Sequence, residues 1–197
     1  MANFIYGYFM IRRKVAKKLL AERYISPFED TWGTWTDIQV PNTYSHYGDV
    51  VMETLLERVK PRMEKETKLK LVPTYSYARI YKKGDVLTRH KDRFSCEIST
   101  TMFLGGEPWD IYLEPNKNVG PSSDPYVPTT NKGIKVSLKP GDMLIYSGCE
   151  LEHWREAFQG QNCAQVFLHY NQITSPGAME NRFDKRPFLG LPSWFKK

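Results

Sequence analysis

Residues 75–104, with the sequence YSYARIYKKGDVLTRHKDRFSCEISTTMFL, decide how the rest of the chain is interpreted. The stretch begins and ends in runs that are typical of β-strands. His90 and Asp92 lie two positions apart within it, and alternate residues of an extended strand point to the same face. We therefore expect the two side chains to hold one cation together, with a third ligand supplied from elsewhere in the chain.

The expected third ligand is His153, in the segment GCELEHWREAF, which follows a second strand-like run, KVSLKPGDMLIYSG. Two imidazoles and one carboxylate leave the other positions of a metal open, and this arrangement suits non-haem Fe(II) and O2 chemistry. Zinc sites of comparable openness usually use three histidines or include a cysteine. The spacing predicts an open iron site. The plain alternative for an isolated His-x-Asp is a hydrogen-bonded pair at the surface.

An ordered set of short motifs extends this pattern over residues 75–170, about half of the chain. The set comprises Tyr81-x-x-Gly84, His90-x-Asp92, Gly105-Gly106-Glu107, Lys139-Pro140-Gly141-Asp142 and His153. In this order it resembles the iron(II)- and 2-oxoglutarate-dependent dioxygenases, particularly the prolyl-4-hydroxylase-like branch. The resemblance implies Fe(II), 2-oxoglutarate as co-substrate and O2, used together to hydroxylate a C–H bond. The implied substrate is a prolyl residue in a peptide or protein, although a small molecule fits equally well.

The resemblance also implies a basic residue on the last core strand, which binds the far carboxylate of 2-oxoglutarate. At those positions, 162–164, this chain has Asn, Cys and Ala. The nearest substitutes are Arg155, two positions beyond His153, and Gln165 within the last strand. We favour Arg155 because a guanidinium can form a charge-assisted bidentate pair with a carboxylate.

Two hydroxyl groups complete the expected co-substrate site, those of Tyr81 and Thr101, by their positions relative to the family pattern. Each of these assignments has an alternative. Tyr81 could equally be a core aromatic residue, and Arg155 could form a surface ion pair with Glu152 or Glu156.

Length and composition are those of an ordinary globular protein. The chain has 197 residues, of which 41% are hydrophobic and 25% charged, which favours a single domain with a sizeable core. The predicted fold is mainly β with flanking α-helices, built on a double-stranded β-helix of the jelly-roll or cupin type. We divide it into a helical buttress with loops (1–68), a β-helix core (69–174) and a C-terminal packing segment (175–197).

Helical periodicity is restricted to the N-terminal third. Apolar residues at helical spacing predict helices over residues 10–24 and 47–68, and Pro61 is expected to end or kink the second. In the C-terminal segment the expected apolar anchors are Phe183, Phe188, Leu191 and Trp194. Four aromatic residues are candidates for the rim of the pocket: Trp32, Trp35, Tyr126 and Trp154.

The formal net charge of +6 raises the question of a polyanionic partner. Positive charge gathers at the two ends of the chain, and no zinc finger, helix-turn-helix or RNA-binding motif accompanies it. Nucleic acid is therefore not expected as a partner. A nucleic-acid demethylase with the same iron chemistry stays as an alternative, because Arg79, Arg89, Lys91 and Arg93 flank the motif.

Other classes of protein are constrained by what the sequence contains. No apolar run reaches membrane-spanning length, and the N-terminus does not read as a secretory signal, so a cytoplasmic protein without a membrane partner is expected. The three cysteines, Cys96, Cys149 and Cys163, do not describe a disulfide framework or a zinc knuckle. A cupin-like barrel that binds a metal or ligand without turnover is the non-enzymatic alternative, and the missing base on the last strand favours it.

Overall fold

The computed structural model describes residues 1–120 and 127–196. Within these ranges the helices are α1 (Ala2–Ala21) and α2 (Val50–Thr67). The strands are β1 (Tyr44–Tyr47), β2 (Leu71–Tyr81), β3 (Leu87–His90), β4 (Ile98–Gly106), β5 (Ile111–Leu113), β6 (Ile134–Val136), β7 (Met143–Tyr146), β8 (His153–Arg155) and β9 (Cys163–Gln172). The mainly β character and the two flanking helices predicted from the sequence are confirmed.

The strands form two antiparallel sheets. A five-stranded sheet has the order β1-β2-β9-β4-β7, and a four-stranded sheet has the order β3-β8-β5-β6. Several neighbours in the sheets are distant in sequence, as when β9 lies between β2 and β4. Two antiparallel sheets with such crossovers are consistent with the core of a double-stranded β-helix oxygenase.

The five-stranded sheet is buried on both faces. Its outer face packs against the two helices, where Phe9 of α1 and Leu56 of α2 join Ala78 and Val166 in one apolar cluster. Its inner face carries Tyr81, Phe103 and Phe167 in a second cluster. Because side chains alternate along a strand, β2 sends one set of residues to the helices and the other, which includes the tyrosines of YSYARIY, to the interior.

Both helices differ from their predicted limits. Helix α1 starts at Ala2 rather than near residue 10, because Ile5 and Phe9 pack onto the sheet and extend the apolar face. Helix α2 starts at Val50, where the Asp49 carboxylate accepts hydrogen bonds from the Val51 and Met52 amides, at 2.9 and 3.2 Å. The helix continues past Pro61 to Thr67, so the expectation that this proline ends it is wrong.

The C-terminal segment is anchored mainly by polar contacts. Phe183 is buried as predicted, but Phe188 and Trp194 are exposed at 66% and 67%, so they do not serve as apolar anchors. Burial here belongs instead to Asp184 and Arg186, whose side chains pair with residues of the core. No helix in the described part of the chain is long and apolar enough to cross a membrane.

Candidate metal centre

The three residues predicted to bind a metal meet at one point. Nitrogen or oxygen atoms of His90, Asp92 and His153 all lie within 4.8 Å of one another. His90 is the last residue of β3 and pairs directly with His153, the first residue of β8, so the ladder between these strands brings the two imidazoles together. Asp92 lies in the loop after β3, not in the strand as expected, and its amide donates to the Gly148 carbonyl at 2.8 Å.

The hydrogen bonds of the two imidazoles fix which nitrogen faces Asp92. Nδ1 of His90 lies 2.7 Å from the Thr88 carbonyl oxygen, and Nδ1 of His153 lies 3.0 Å from that of Leu151. A carbonyl can only accept, so each Nδ1 carries a proton and each ring turns its Nε2 towards Asp92, where a deprotonated Nε2 is the atom that binds a metal. The Nε2 atoms lie 3.3 and 3.6 Å from Oδ1 of Asp92. Three acceptor atoms therefore converge on a position that suits a cation.

The electrostatics of Asp92 agree with this geometry. Burial raises the pKa of this carboxyl group, but positive charge on the His153 ring and hydrogen bonds from His153 and His90 lower it well below its usual range. A cation held in the same place would favour the ionised carboxylate in the same way. An ionised carboxylate between two imidazoles is the donor set that open non-haem Fe(II) sites use. Cys149 is not part of this set, because its thiol donates to the Arg93 carbonyl oxygen at 3.0 Å.

The four residues expected around the co-substrate are also brought together. Arg155 is fully buried, and its guanidinium donates to the Trp109 carbonyl oxygen and, at 3.3 Å, to the Thr101 hydroxyl. Thr101 in turn donates to the side-chain oxygen of Gln165 at 3.2 Å. Tyr81 is fully buried and packs its ring edge-on against Trp109. One compact group of polar side chains thus lies between the two sheets.

Arg155 lacks a counter-ion within the described residues. No carboxylate there lies within ion-pair distance of its guanidinium, and its Nε is buried without a hydrogen-bond partner. The surface ion pair with Glu152 or Glu156 that the sequence left open is not formed, and Glu152 instead binds Arg89 at 2.7 Å. Burial lowers the pKa of Arg155, which means that its charged form is under-stabilised. A carboxylate bound beside this guanidinium would stabilise it.

A cavity of about 340 Å³ opens onto the metal position. Its wall combines Tyr75, Tyr77, Arg79 and Tyr81 of β2 with His169 and Phe167 of β9 and with the metal ligands. The tryptophans expected at the rim lie elsewhere in the structure. Trp32 contacts Arg12, Trp35 packs on Tyr44, and Trp154 stacks on Tyr112. Tyr126, the fourth aromatic candidate, lies outside the described residues.

Arg79 is the functional candidate that reasoning from the sequence did not place in the interior. It is 1% exposed, and its guanidinium pairs with Asp37 at 3.0 Å. The alternation Tyr75, Tyr77, Arg79, Tyr81 was the available signal, because it places Arg79 on the same face as three tyrosines. Asp37 and Gln39 come from an irregular loop before β1, whose position no periodicity reveals.

Comparison with solved structures agrees with this geometry, whereas no family model and no curated protein matches the chain. AviO1 from Streptomyces viridochromogenes Tue57 has a TM-score of 0.60 and 13% identity, covering 90% of this chain and 89% of AviO1. SnoN, a non-haem α-ketoglutarate-dependent epimerase from nogalamycin biosynthesis, has a TM-score of 0.55 and 13% identity, covering 84% and 72%. This chain has the fold of 2-oxoglutarate-dependent non-haem enzymes.

A third neighbour was solved with ligands bound. HygX from Streptomyces hygroscopicus, with nickel and 2-oxoglutarate bound, has a TM-score of 0.52 and 13% identity, covering 71% of this chain and 73% of HygX. The resemblance drawn from the sequence motifs is therefore confirmed at the level of the fold. At these identities the likeness does not single out the prolyl-4-hydroxylase-like branch.

Proposed function

We propose that the protein is an Fe(II)- and 2-oxoglutarate-dependent oxygenase that hydroxylates a C–H bond, built on a double-stranded β-helix core. The observation that carries the proposal is the pairing of two sites with complementary chemistry. His90, Asp92 and His153 converge with atoms that suit a divalent metal, and the guanidinium of Arg155 is buried with no carboxylate within ion-pair distance among the described residues. A divalent metal and a dicarboxylate together match both sites.

Each residue has a defined task in this proposal. His90, Asp92 and His153 would hold the metal on one side, leaving the side that faces the cavity open to ligands. Arg155, with Thr101 and Tyr81 as hydroxyl neighbours and Gln165 behind them, would bind the far carboxylate of 2-oxoglutarate and so orient the keto acid. When bound, the metal and co-substrate supply the activation of O2.

The apolar and aromatic wall has the complementary task of excluding water. Tyr77, Phe167 and Leu87 line the cavity beside the metal position, and the apolar cluster of Phe103 and Phe158 lies behind them. Excluding water strengthens the attraction between Arg155 and a bound carboxylate, because the local dielectric constant falls.

The experiment that tests the proposal is anaerobic addition of 2-oxoglutarate to the Fe(II)-loaded protein. Chelation by the keto acid should produce a weak visible metal-to-ligand charge-transfer band. We expect His153→Ala to lose the band because it removes a metal ligand. Arg155→Gln should keep iron binding and require roughly 10-fold or more 2-oxoglutarate, the effect of losing a charge-assisted bidentate contact.

Cys149→Ser provides the matched control, because this side chain lies in the same loop region without facing the three ligands. It should reproduce the wild-type band. Iron binding without any band in the wild-type protein would contradict the proposal. That result would favour the non-catalytic barrel, for which the absence of a base at residues 162–164 is the supporting observation.

The substrate stays open between a prolyl residue of a peptide or protein and a small molecule. Nucleic acid is disfavoured because two of the basic residues around the motif are paired and a third is buried. Arg89 and Arg93 are held by Glu152 and Asp184. Arg79 is 1% exposed, so its guanidinium cannot reach the phosphates of a nucleic-acid backbone.

A further inference from the structure

The cavity and the residues next to it carry one more positive charge than the proposed metal and co-substrate balance. Arg79 and Lys91 line the cavity together with Asp37 and Asp92, whereas the charge of Arg93 is balanced by Asp184. Arg155 is buried nearby, over the Trp109 ring that packs on Tyr81. A divalent metal and a doubly charged co-substrate cancel each other, so one positive charge remains for an additional anion.

Arg93 does not account for this attraction, because Asp184 holds it through two hydrogen bonds of 2.6 and 2.8 Å. Lys91 is freer, since Nζ contacts only the carbonyl oxygens of Lys117 and Gly120 among the described residues, at 3.5 and 3.1 Å. Lys91 is thus a cation at the cavity wall, whereas Arg79 lies deeper and is 1% exposed.

The guanidinium of Arg79 is held in place, but not all of its N–H groups have a hydrogen-bond partner among the described residues. One terminal nitrogen pairs with Asp37 at 3.0 Å, and the other donates to Gln39 at 3.1 Å and to the Tyr81 hydroxyl at 3.4 Å. Its Nε is buried without a hydrogen-bond partner. A guanidinium with unsatisfied Nε is prepared to bind a planar carboxylate.

The path from Arg79 to the metal ligands is short. The side-chain amide of Gln39 connects them, with its oxygen 3.1 Å from Arg79 and its nitrogen 3.2 Å from Nε2 of His90. One amide group therefore spans the gap between the guanidinium and a metal-binding nitrogen. If the acidic group of a ligand took the place of the Gln39 amide at Arg79, the carbon atoms a few bonds from that group would lie beside the metal position.

Arg79 and Arg155 have separate sets of partners. Arg79, on β2, contacts Asp37 and Gln39, whereas Arg155, on β8, contacts Trp109 and Thr101. 2-Oxoglutarate has one carboxylate beyond the end that chelates iron, and Arg155 is its proposed partner. We infer that Arg79 binds a carboxylate of the substrate, which makes the substrate a small organic acid. This inference rests on the proposed oxygenase function and assigns the substrate class of the same site.

The test uses full-length protein loaded with Co(II) and saturated with 2-oxoglutarate, with butanoate as the probe and butanamide as its uncharged counterpart. Paramagnetic broadening of the probe's methyl signal in proton NMR reports binding close to the metal. We expect butanoate to bind at least about 10-fold more tightly than butanamide, with 2-oxoglutarate remaining bound. Arg79→Gln should remove this preference, and Arg79→Lys should restore part of it.

Arg62→Gln is the control for a general loss of positive charge, because Arg62 is exposed on α2 and pairs with Glu66. It should bind butanoate as the wild type does. Equal binding of the two probes by the wild-type protein would overturn the inference without needing any variant to fold. Displacement of 2-oxoglutarate by butanoate, or loss of 2-oxoglutarate affinity in Arg79→Gln, would also overturn it. Failure of 2-oxoglutarate to bind the wild type at all would instead count against the proposed function.

Discussion

Two aspartates, the half-buried Asp92 and the buried Asp184, lie on either side of one short loop and are held in opposite ways. Asp184 is surrounded by donors: Arg93, Lys196 at 2.7 Å, Tyr47 at 2.7 Å and Ser95 at 2.7 Å. Asp92 faces the Nε2 atoms of His90 and His153, at 3.3 and 3.6 Å. A carboxylate whose partners are all permanent donors stabilises a fold, whereas one that shares its position with two imidazole nitrogens suits a metal ion.

The contacts of Asp184 offset strain in the backbone around it. Phe183, Asp184 and Lys185 all have φ between 56° and 65°, a left-handed conformation that is unfavourable for residues with side chains. The contacts of Asp184 hold these residues in place, and through Arg93 and Ser95 they fix the loop that follows Asp92. The C-terminal segment thus supports the proposed metal centre without contributing a residue to the set of His90, Asp92 and His153.

The largest expected effect comes from exchanging each aspartate for asparagine. Asp184→Asn should lower the free energy of unfolding by about 3 kcal/mol, because it removes the charge that Arg93 and Lys196 face. Asp92→Asn should change it by less than about 1 kcal/mol, since an amide can donate to an imidazole lone pair. Co(II) binding should be abolished only in Asp92→Asn. Urea unfolding in the presence of a chelator and calorimetric titration with Co(II) measure the two quantities.

The comparison fails if the two variants lose similar amounts of stability. It would also fail if Asp92→Asn retained Co(II) affinity. Arg62→Gln, which alters an exposed pair on α2, should leave both quantities within about 0.5 kcal/mol of the wild type.

A smaller effect is expected in acid, where the contribution of Asp184 can be titrated. Burial raises the pKa of this carboxyl group, but hydrogen bonds from Arg93 and Lys196 hold it below its usual range. Its stabilisation is therefore complete above the unfolded-state pKa of about 3.9 and is lost as the pH falls below that value. The unfolding free energies of wild type and Asp184→Asn, measured in urea at a series of pH values, should converge below about pH 4. A constant difference across that range would contradict the assignment.

The same contrast explains how much the sequence could predict. His90, Asp92 and His153 could be proposed from the sequence because His90 and Asp92 are two residues apart and few histidines compete for the role. The strand that was expected to align His90 and Asp92 ends at His90, so Asp92 reaches the site from the following loop. Arg155 followed from its position two residues after His153. Asp184 could not be found, since its segment has no periodicity and its conformation depends on contacts with loops far away in the chain.

The fold, like the site, could be predicted from the sequence only where local patterns determine it. Strand character and the flanking helices follow from local patterns, whereas the start of α1 depends on how Ile5 and Phe9 meet the sheet. The prediction that tryptophans lie at the rim of the cavity was wrong, because bulky aromatic residues are equally suited to packing against other side chains. Arg79 was not predicted to lie in the interior because charged residues are usually exposed, although it alternates with tyrosines along the sequence.

The smallest expected effect concerns Gly148, which lies directly behind Asp92. A Cβ at this position would clash with the Cys96 backbone oxygen and would approach Oδ2 of Asp92 to 2.6 Å and the Ser99 hydroxyl to 2.8 Å. Gly148→Ala should therefore displace the Asp92 carboxylate and weaken Co(II) binding by roughly 10-fold, as for other changes behind a proposed metal ligand. The cost in unfolding free energy should be about 1 to 3 kcal/mol, because the backbone at Cys96 must shift. Gly7→Ala, in open space on α1, is the matched control and should leave Co(II) binding unchanged. Unaltered Co(II) affinity in Gly148→Ala would show that the position of the Asp92 carboxylate does not depend on close packing against Gly148. The contrast between Asp92 and Asp184 would then depend only on the groups that contact each carboxylate.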